Sequence, residues 1–139
     1  MPKNRVFVDT DIILDLFCGR GSFYAPAAEL FTLAETKRVN LYTSALSFAN
    51  IFYILRKVLG SAAAKNLLRK LRLLVTVLPV NDQIIDLALN GNLRDFEDSL
   101  QYFSARAENI TVLITRNVRD YKVKDMAVQT AAEYVQTCR

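Results

Sequence analysis

The sequence predicts an α/β protein of three layers, an α/β/α domain in which helices cover both faces of a central parallel sheet of four to five strands. Short apolar runs typical of buried strands are separated by longer stretches in which apolar residues recur every three or four positions, as in amphipathic helices. This alternation favours parallel strands joined by right-handed helical crossovers. The length of 139 residues suits one domain, and no linker divides residues 1–139.

Five segments are candidates for the strands. They are Arg5–Val8, Val39–Tyr42, Val75–Val80, Thr111–Ile114 and a shorter fifth one, Met126–Val128. The first of them ends at Asp9. Because functional groups of parallel α/β proteins collect beyond the carboxyl ends of the strands, Asp9 is expected at the functional edge of the sheet.

Residues that favour helix ends delimit the helices between these strands. The expected helices are Ile12–Leu16, Pro26–Thr36, a long helix from Thr43-Ser44 to Leu59, Ser61–Leu74, Asp82–Leu89, Asp95–Glu108 and a last one from Thr130. Gly60 is expected to end the long helix, because glycine readily takes the backbone conformation found after helices. Cys18–Ser22 contains two glycines and predicts a loop.

The composition restricts the chemistry. The chain has no histidine, which excludes Ser-His-Asp and Cys-His catalysis, RNA cleavage by histidine acid–base pairs and zinc bound by imidazole. Cys18 and Cys138 lie at opposite ends of the chain and form neither a zinc motif nor a disulfide framework. An enzyme with this composition must use carboxylates, and these bind hard cations such as Mg²⁺ or Mn²⁺.

Charge is unevenly distributed along the chain, whose net charge is +4. Residues 36–81 contain no acid and eight basic residues: Lys37, Arg38, Arg56, Lys57, Lys65, Arg69, Lys70 and Arg72. This separation suits a polyanionic partner, although a solvated helix face would give the same pattern. The amino terminus lacks the pattern of a signal peptide, and the apolar stretch 45–59 is interrupted by polar and charged residues. We therefore expect a cytoplasmic protein without a membrane span.

Carboxylates recur where strands end and where one helix begins. Asp9 follows the first strand, Asp95 and Asp98 lie three residues apart at a helix start, and Asp120 follows the fourth strand. Clustered carboxylates repel one another unless cations neutralise them, so the pattern predicts a divalent-metal site. Two such ions would suit an in-line displacement at a phosphodiester. Asp95 is equally well explained as a helix N-cap.

The same residues resemble the motifs of a known family. Val8-Asp9-Thr10-Asp11-Ile12-Ile13-Leu14-Asp15 is similar to the opening of PIN domains, and Asp95-Phe96-Glu97-Asp98 with Thr115-Arg116-Asn117-Val118-Arg119-Asp120-Tyr121 is similar to their closing motifs. The order and spacing cover nearly the whole chain. The resemblance implies a PIN-like fold and a ribonuclease dependent on Mg²⁺ or Mn²⁺ that cleaves single-stranded RNA. It further implies the toxin of a prokaryotic toxin–antitoxin pair, with a small antitoxin protein as partner and a homodimeric assembly.

The resemblance also assigns roles to individual residues. Asp9 and Asp98 match the first and third acids of the family. Asn117 stands at the fourth position, where aspartate and asparagine both occur, and Asp120 is close by. Thr115 matches the small hydroxyl residue at the end of the fourth strand. The predicted metal ligands are therefore Asp9 and Asp98, with Asp95 and Asp120 as further candidates.

One position departs from the family pattern. The second acid, normally a glutamate six residues after the serine of the long helix, is Asn50 in this chain, which offers a neutral oxygen and no charge. Arg116 and Arg119, with Lys122 and Lys124 in the same loop, are candidate ligands for substrate phosphates. The alternative is that they are ordinary solvated loop residues.

Two other functions compete with the nuclease. Asp9-Thr10-Asp11-Ile12 also resembles the nucleophile motif of haloacid-dehalogenase-type phosphatases, but the chain lacks a matching lysine motif and a convincing glycine-aspartate metal motif. The second alternative is a PIN-like module with a weakened site that binds RNA or a protein, which Asn50 favours.

Overall fold

A five-stranded parallel sheet forms the centre of the structure, a computed structural model that describes residues 4–139. The strands are β1 (Arg5–Val8), β2 (Asn40–Ser44), β3 (Val75–Leu78), β4 (Val112–Ile114) and β5 (Ala127–Gln129), in the order β3-β2-β1-β4-β5. Every neighbouring pair is parallel, which confirms the predicted fold class and the fifth strand. Residues 1–3, which begin the amino terminus that lacks a signal-peptide pattern, lie outside the described residues.

Helices connect the strands. They are α1 (Thr10–Cys18), α2 (Gly21–Glu35), α3 (Ala45–Leu59), α4 (Ser61–Leu74), α5 (Asp82–Asn90), α6 (Phe96–Ala107) and α7 (Ala131–Thr137). Four helices begin at side chains that accept a hydrogen bond from the backbone amide three residues later: Ser44, Asn81, Asp95 and Thr130. These caps stand where the sequence placed them, because an N-cap depends only on nearby residues.

Alternate residues of β1 contact opposite layers. Val6 and Val8 pack in a core with residues of α1–α4 and α7, whereas Phe7 packs on the other face with residues of α6 and of the loop before β5. This alternation follows from the period of two in a strand. Among residues 4–139, no helix is both long enough and apolar enough to cross a membrane.

The first two helices differ from the prediction. Helix α1 continues to Cys18, and α2 begins at Gly21, so the predicted loop is reduced to two residues and Pro26 lies inside α2. Proline removes the bond to the carbonyl four residues earlier, that of Ser22. Ser22 is exposed, so water can satisfy this carbonyl and the proline does not stop the helix.

The strand order brings the ends of β1 and β4 together. Val8 pairs with Ile114, so Asp9 and Thr115 follow neighbouring strands at the same edge. The backbone N–H of Asp9 donates to the carbonyl of Ile114 at 2.9 Å. On the other side of β1, β2 ends at Ser44, from which α3 starts.

Candidate active site

Asp9 is the centre of the site, at the junction of β1 and α1, and it is 7% exposed. Its Oδ1 accepts hydrogen bonds from the Thr10 amide at 2.7 Å and from Gln101 Nε2 at 3.0 Å. Its Oδ2 accepts from Thr115 Oγ1 at 2.9 Å and from the Tyr121 hydroxyl at 3.0 Å. Burial raises the pKa of Asp9, while these donors favour its ionised form. The side chain is therefore fixed in one orientation.

The Tyr121 hydroxyl joins Asp9 to Asp98. It lies 3.0 Å from Asp9 Oδ2 and 3.2 Å from Asp98 Oδ1, and it has one proton to donate. The pKa of Asp98 is raised to about 7, first by burial and then by the negative charges of Asp9, Asp95 and Asp120. Two carboxylates thus share one neutral donor. A bound cation would reduce the repulsion between them.

Asp95 and Asp120 lie on the open side of this pair. Asp95 is the N-cap of α6, and its Oδ1 accepts from the Asp98 amide at 3.0 Å. Asp120 belongs to a 3-10 turn, Val118–Asp120. Both line a surface hollow of about 710 Å³. Their negative charges contribute to the raised pKa of Asp98, but neither side chain hydrogen-bonds to the Asp98 carboxylate in the structure.

Asn50 contacts a carboxylate that the sequence reasoning did not assign. Its Nδ2 donates to Glu97 Oε1 at 2.5 Å, which links α3 to the first turn of α6. Glu97 adjoins Asp98 in the motif that resembles PIN domains, and that adjacency was the available signal for a role. The position that lacks the family's glutamate therefore has a glutamate from another helix beside it.

The residues after β4 bind both Asp9 and Asp11. Thr115 Oγ1 donates to Asp9 and accepts from the Asn117 amide at 3.1 Å. Asn117 Nδ2 donates to Asp11 Oδ2 at 3.3 Å, as does the Arg116 amide. Burial, followed by the charge of Asp9, raises the pKa of Asp11 to about 7. Asn117 thus contacts the carboxylate two residues beyond Asp9.

Arg116 and Arg119, both candidates for phosphate binding, have different surroundings. Arg116 Nε lies 3.1 Å from Asp15 Oδ2, and its guanidinium stacks on the ring of Phe23, 4.3 Å from the centroid. Asp15 is fully buried in α1, with Arg20 Nη1 at 4.0 Å as its second cation. Arg119 is exposed and lines the same hollow as Asp120.

Gln101 is a further site residue that the sequence reasoning missed. It is buried in α6, its Nε2 donates to Asp9, and its Oε1 accepts from Ser44 Oγ at 2.8 Å and from Ser47 Oγ at 3.3 Å. The start of α3 thereby orients Asp9 through one side chain. The only signal in the sequence is that Gln101 lies three residues after Asp98, on the same helix face.

The donor set fits a hard divalent cation at Asp9 and Asp98. Within residues 4–139, no three acidic or thiol side chains converge closely enough to enclose a metal ion by themselves. Mg²⁺ does not need such an enclosure, because it commonly binds one or two carboxylates and keeps waters or substrate phosphate as its other ligands. The shared Tyr121 hydroxyl shows that the two carboxylates approach one small group from both sides.

Comparisons with known proteins show which sequences and folds this chain is similar to. The family model described as the PIN domain matches residues 5–119. Ribonuclease VapC1 of Aquifex aeolicus (strain VF5) is 23% identical over an alignment 141 residues long, which covers 98% of this chain and 96% of that protein.

Two solved structures have a similar fold. VapBC2 from Rickettsia felis, bound to a DNA fragment from its promoter, has a TM-score of 0.66 at 18% identity, over 91% of this chain and 98% of that chain. VapC20 from Mycobacterium tuberculosis, a toxin that cleaves the sarcin-ricin loop, has a TM-score of 0.61 at 21% identity, over 78% and 86% of the two chains. Because the family model spans most of the sequence and its motifs meet at one edge of the sheet, this chain belongs to the PIN domain family.

Proposed function

We propose that the protein is a metal-dependent endoribonuclease that cleaves single-stranded RNA and acts as the toxin of a type II toxin–antitoxin pair. The observation that carries the proposal is the pair Asp9 and Asp98, joined by Tyr121 at the carboxyl edge of the sheet. Membership of the PIN domain family supports it, as does the similarity to Ribonuclease VapC1 along the whole chain. The nuclease domain would comprise residues 1–139.

In this proposal Asp9 and Asp98 hold Mg²⁺ or Mn²⁺. A bound divalent ion supplies positive charge for the phosphodiester and lowers the pKa of a coordinated water. Thr115 and Gln101 keep the Asp9 carboxylate in one orientation, so that it need not reorganise during hydrolysis. Hydrolysis forms a P–O bond to the water oxygen and breaks the bond to the leaving oxygen, which takes up a proton.

Two residues on the open side would act on the same ion. Asp120 and Asp95 are near enough to Asp98 for their charges to raise its pKa. We propose that they would serve as further ligands of the cation or bind its waters. Asn117 positions the Asp11 carboxylate next to this set. Asp11 and Asn117 follow the paired ends of β1 and β4, which places both at the same edge of the sheet.

A weakened binding module is the second candidate function, because Asn50 brings no charge of its own. The contact between Asn50 and Glu97 argues against it, since a carboxylate occupies the neighbourhood of the missing acid. We assign Asn50 to orienting Glu97 or a water. A module of this kind would bind RNA in a salt-sensitive manner without cleaving it.

An antitoxin and a second copy of the chain are the proposed protein partners. Several large apolar side chains on α3, α4 and α5 are exposed, among them Val58 at 74% and Leu73 at 86%. Apolar surface of this extent favours association with another chain. A toxin of this type would act in the cytoplasm, where its RNA substrates are.

Cleavage of labelled single-stranded RNA by the purified protein tests the proposal. We expect cleavage with MgCl₂ or MnCl₂, none with EDTA and none for Asp98→Asn. Asp86→Asn removes the same charge from an exposed position of α5 and should cleave like the wild type. Equal residual cleavage by the wild type and Asp98→Asn would exclude catalysis at this site. Salt-sensitive RNA binding without cleavage would favour the binding module, and release of phosphate from a small phosphomonoester that Asp9→Asn abolishes would favour the phosphatase.

A further inference from the structure

Three cationic side chains surround the hollow next to the carboxylate pair. Arg94 comes from the segment before α6, and Arg119 and Lys122 come from the loop after β4. The hollow has a volume of about 710 Å³, and its other lining residues are Asn92, Leu93, Asp95 and Asp120. We call it the basic hollow. Sequence reasoning did not connect Arg94 with the loop cations, because about 25 residues separate them.

The cations of the basic hollow are free to bind a ligand. Ion pairs within residues 4–139 join Arg20 and Arg116 to Asp15, Arg106 to Asp125 and Arg139 to Glu29. None of them involves Arg94, Arg119 or Lys122, and all three side chains are exposed. Arg116, by contrast, is held by Asp15 and Phe23 and would have to leave a buried carboxylate to reach a substrate.

Three residues that line the basic hollow connect it to the carboxylate pair. Lys122 and Asp120 flank Tyr121, whose hydroxyl lies within 3.2 Å of both Asp9 and Asp98. On the other side, Asp95 caps the helix turn that carries Asp98, with its Oδ1 3.0 Å from the Asp98 amide. The hollow therefore borders the pair, so a strand bound at the pair can extend into it.

The chemistry of the lining points to a phosphate rather than a base. Arginine forks and a lysine ammonium are typical ligands of phosphate oxygens. Base recognition in single strands relies on aromatic stacking, and the described lining of the hollow contains no aromatic side chain. Such a site would hold the backbone and contribute little to sequence preference.

We propose that the basic hollow binds the backbone phosphate next to the scissile one in single-stranded RNA, through Arg94, Arg119 and Lys122. The inference rests on the proposed function and specifies which of its cations contact the substrate. It excludes Lys124 of the same loop, which lines a different cavity with Arg38, beyond the amino-terminal edge of the sheet. It also excludes the basic residues of α4, which are Lys65, Arg69, Lys70 and Arg72.

Binding of a fluorescently labelled oligouridylate, measured by anisotropy over a range of salt concentrations, tests the inference. The parent is Asp98→Asn, which we expect to bind RNA without cleaving it, and the test variant adds R94Q, R119Q and K122Q. The matched control adds K65Q, R69Q and K70Q on α4 and changes the net charge by the same amount. Circular dichroism and thermal unfolding verify that both variants fold, which we expect because the replaced side chains of the hollow are exposed.

We expect the hollow variant to bind at least about tenfold more weakly than the parent at moderate salt. Each phosphate contact adds about 0.7 to the slope of log K against log salt for single strands, so the loss of two or three contacts should lower that slope by about 1.5 to 2. The α4 variant should keep most of the parent's slope and affinity.

Three results would overturn the inference. They are unchanged binding by the hollow variant, equal weakening in both variants, and weakening in the α4 variant alone. In each case the metal-dependent cleavage of the wild type is measured separately, so the proposed function can stand when the inference fails. If the wild type neither cleaves nor binds RNA, both fall.

Discussion

Replacing Asp98 with asparagine should stabilise the metal-free protein at alkaline pH while it abolishes metal binding. The Tyr121 hydroxyl donates its one proton to Asp9 or to Asp98, so one carboxylate always lacks this donor. Asparagine keeps an oxygen acceptor at position 98 and removes the negative charge. The substitution therefore removes a charge repulsion with Asp9, Asp95 and Asp120, which a bound cation would otherwise neutralise.

The magnitude follows from the pKa of Asp98, which rises from 3.8 to about 7 in the folded protein. The folded state binds this proton more tightly than the unfolded state, so its contribution to stability is fully present below about pH 4 and disappears as the pH rises towards 7. Three pKa units correspond to about 4 kcal/mol. Asp98 is only half-buried, and solvent screening reduces the expected gain for asparagine to about 1–2 kcal/mol above pH 7.

A second effect acts in the opposite direction. Asp98 lies in the first turn of α6, where a negative charge interacts favourably with the helix dipole by about 0.5 kcal/mol. Asparagine loses this contribution at every pH at which Asp98 is ionised. The net stabilisation should be about 1 kcal/mol in alkaline buffer and should vanish in acid.

Urea unfolding of the wild type and of Asp98→Asn, in EDTA at about pH 8 and about pH 4, measures this difference. Added MnCl₂ should raise the free energy of unfolding of the wild type at the higher pH and leave the variant unchanged, since only the wild type retains the pair. Asp86→Asn is the control for loss of a charge elsewhere. A metal-free Asp98→Asn that is less stable than the wild type by the same amount at both pH values would refute the reasoning.

Three further substitutions separate the roles of neighbouring residues. Asp95→Asn should cost less than about 0.5 kcal/mol, because asparagine is an equally good N-cap, yet it should weaken Mn²⁺ binding in a calorimetric titration; unchanged affinity would make Asp95 a cap alone. Tyr121→Phe should destabilise the metal-free protein by about 1.5–3 kcal/mol through loss of a hydrogen bond to a charged group. The loss should be smaller in MnCl₂, and an equal loss with and without metal in urea unfolding would contradict the proposed site. Arg116→Met leaves the buried Asp15 carboxylate with Arg20 alone, at 4.0 Å, and should cost about 3 kcal/mol. Adding Asp15→Asn should restore most of that stability, and additive losses in the double-mutant cycle would show that the ion pair is not what holds Arg116.

Local features of the sequence were sufficient for the architecture. The caps Ser44, Asn81 and Thr130 each bind an amide three residues away, so the residues that define a helix start are all neighbours in the chain. The apolar runs likewise indicated the strands. Their alternation with helices indicated that the strands run parallel. The predicted start of α2 was wrong. The cost of placing Pro26 inside a helix depends on whether water reaches the carbonyl of Ser22, and the sequence does not reveal this.

The sequence by itself determined that Asp9 and Thr115 follow the ends of two strands and that Asp98 lies at the start of a helix. Only the tertiary structure decided their partners. Gln101 reaches Asp9 across 92 positions of sequence and Tyr121 across 112, and such contacts leave no periodic signal. The same holds for Arg116, which resembles a phosphate ligand in the sequence but is bound by Asp15 in the fold. Charge and spacing specify which groups can meet, whereas packing of distant segments decides which of them remain free for a substrate.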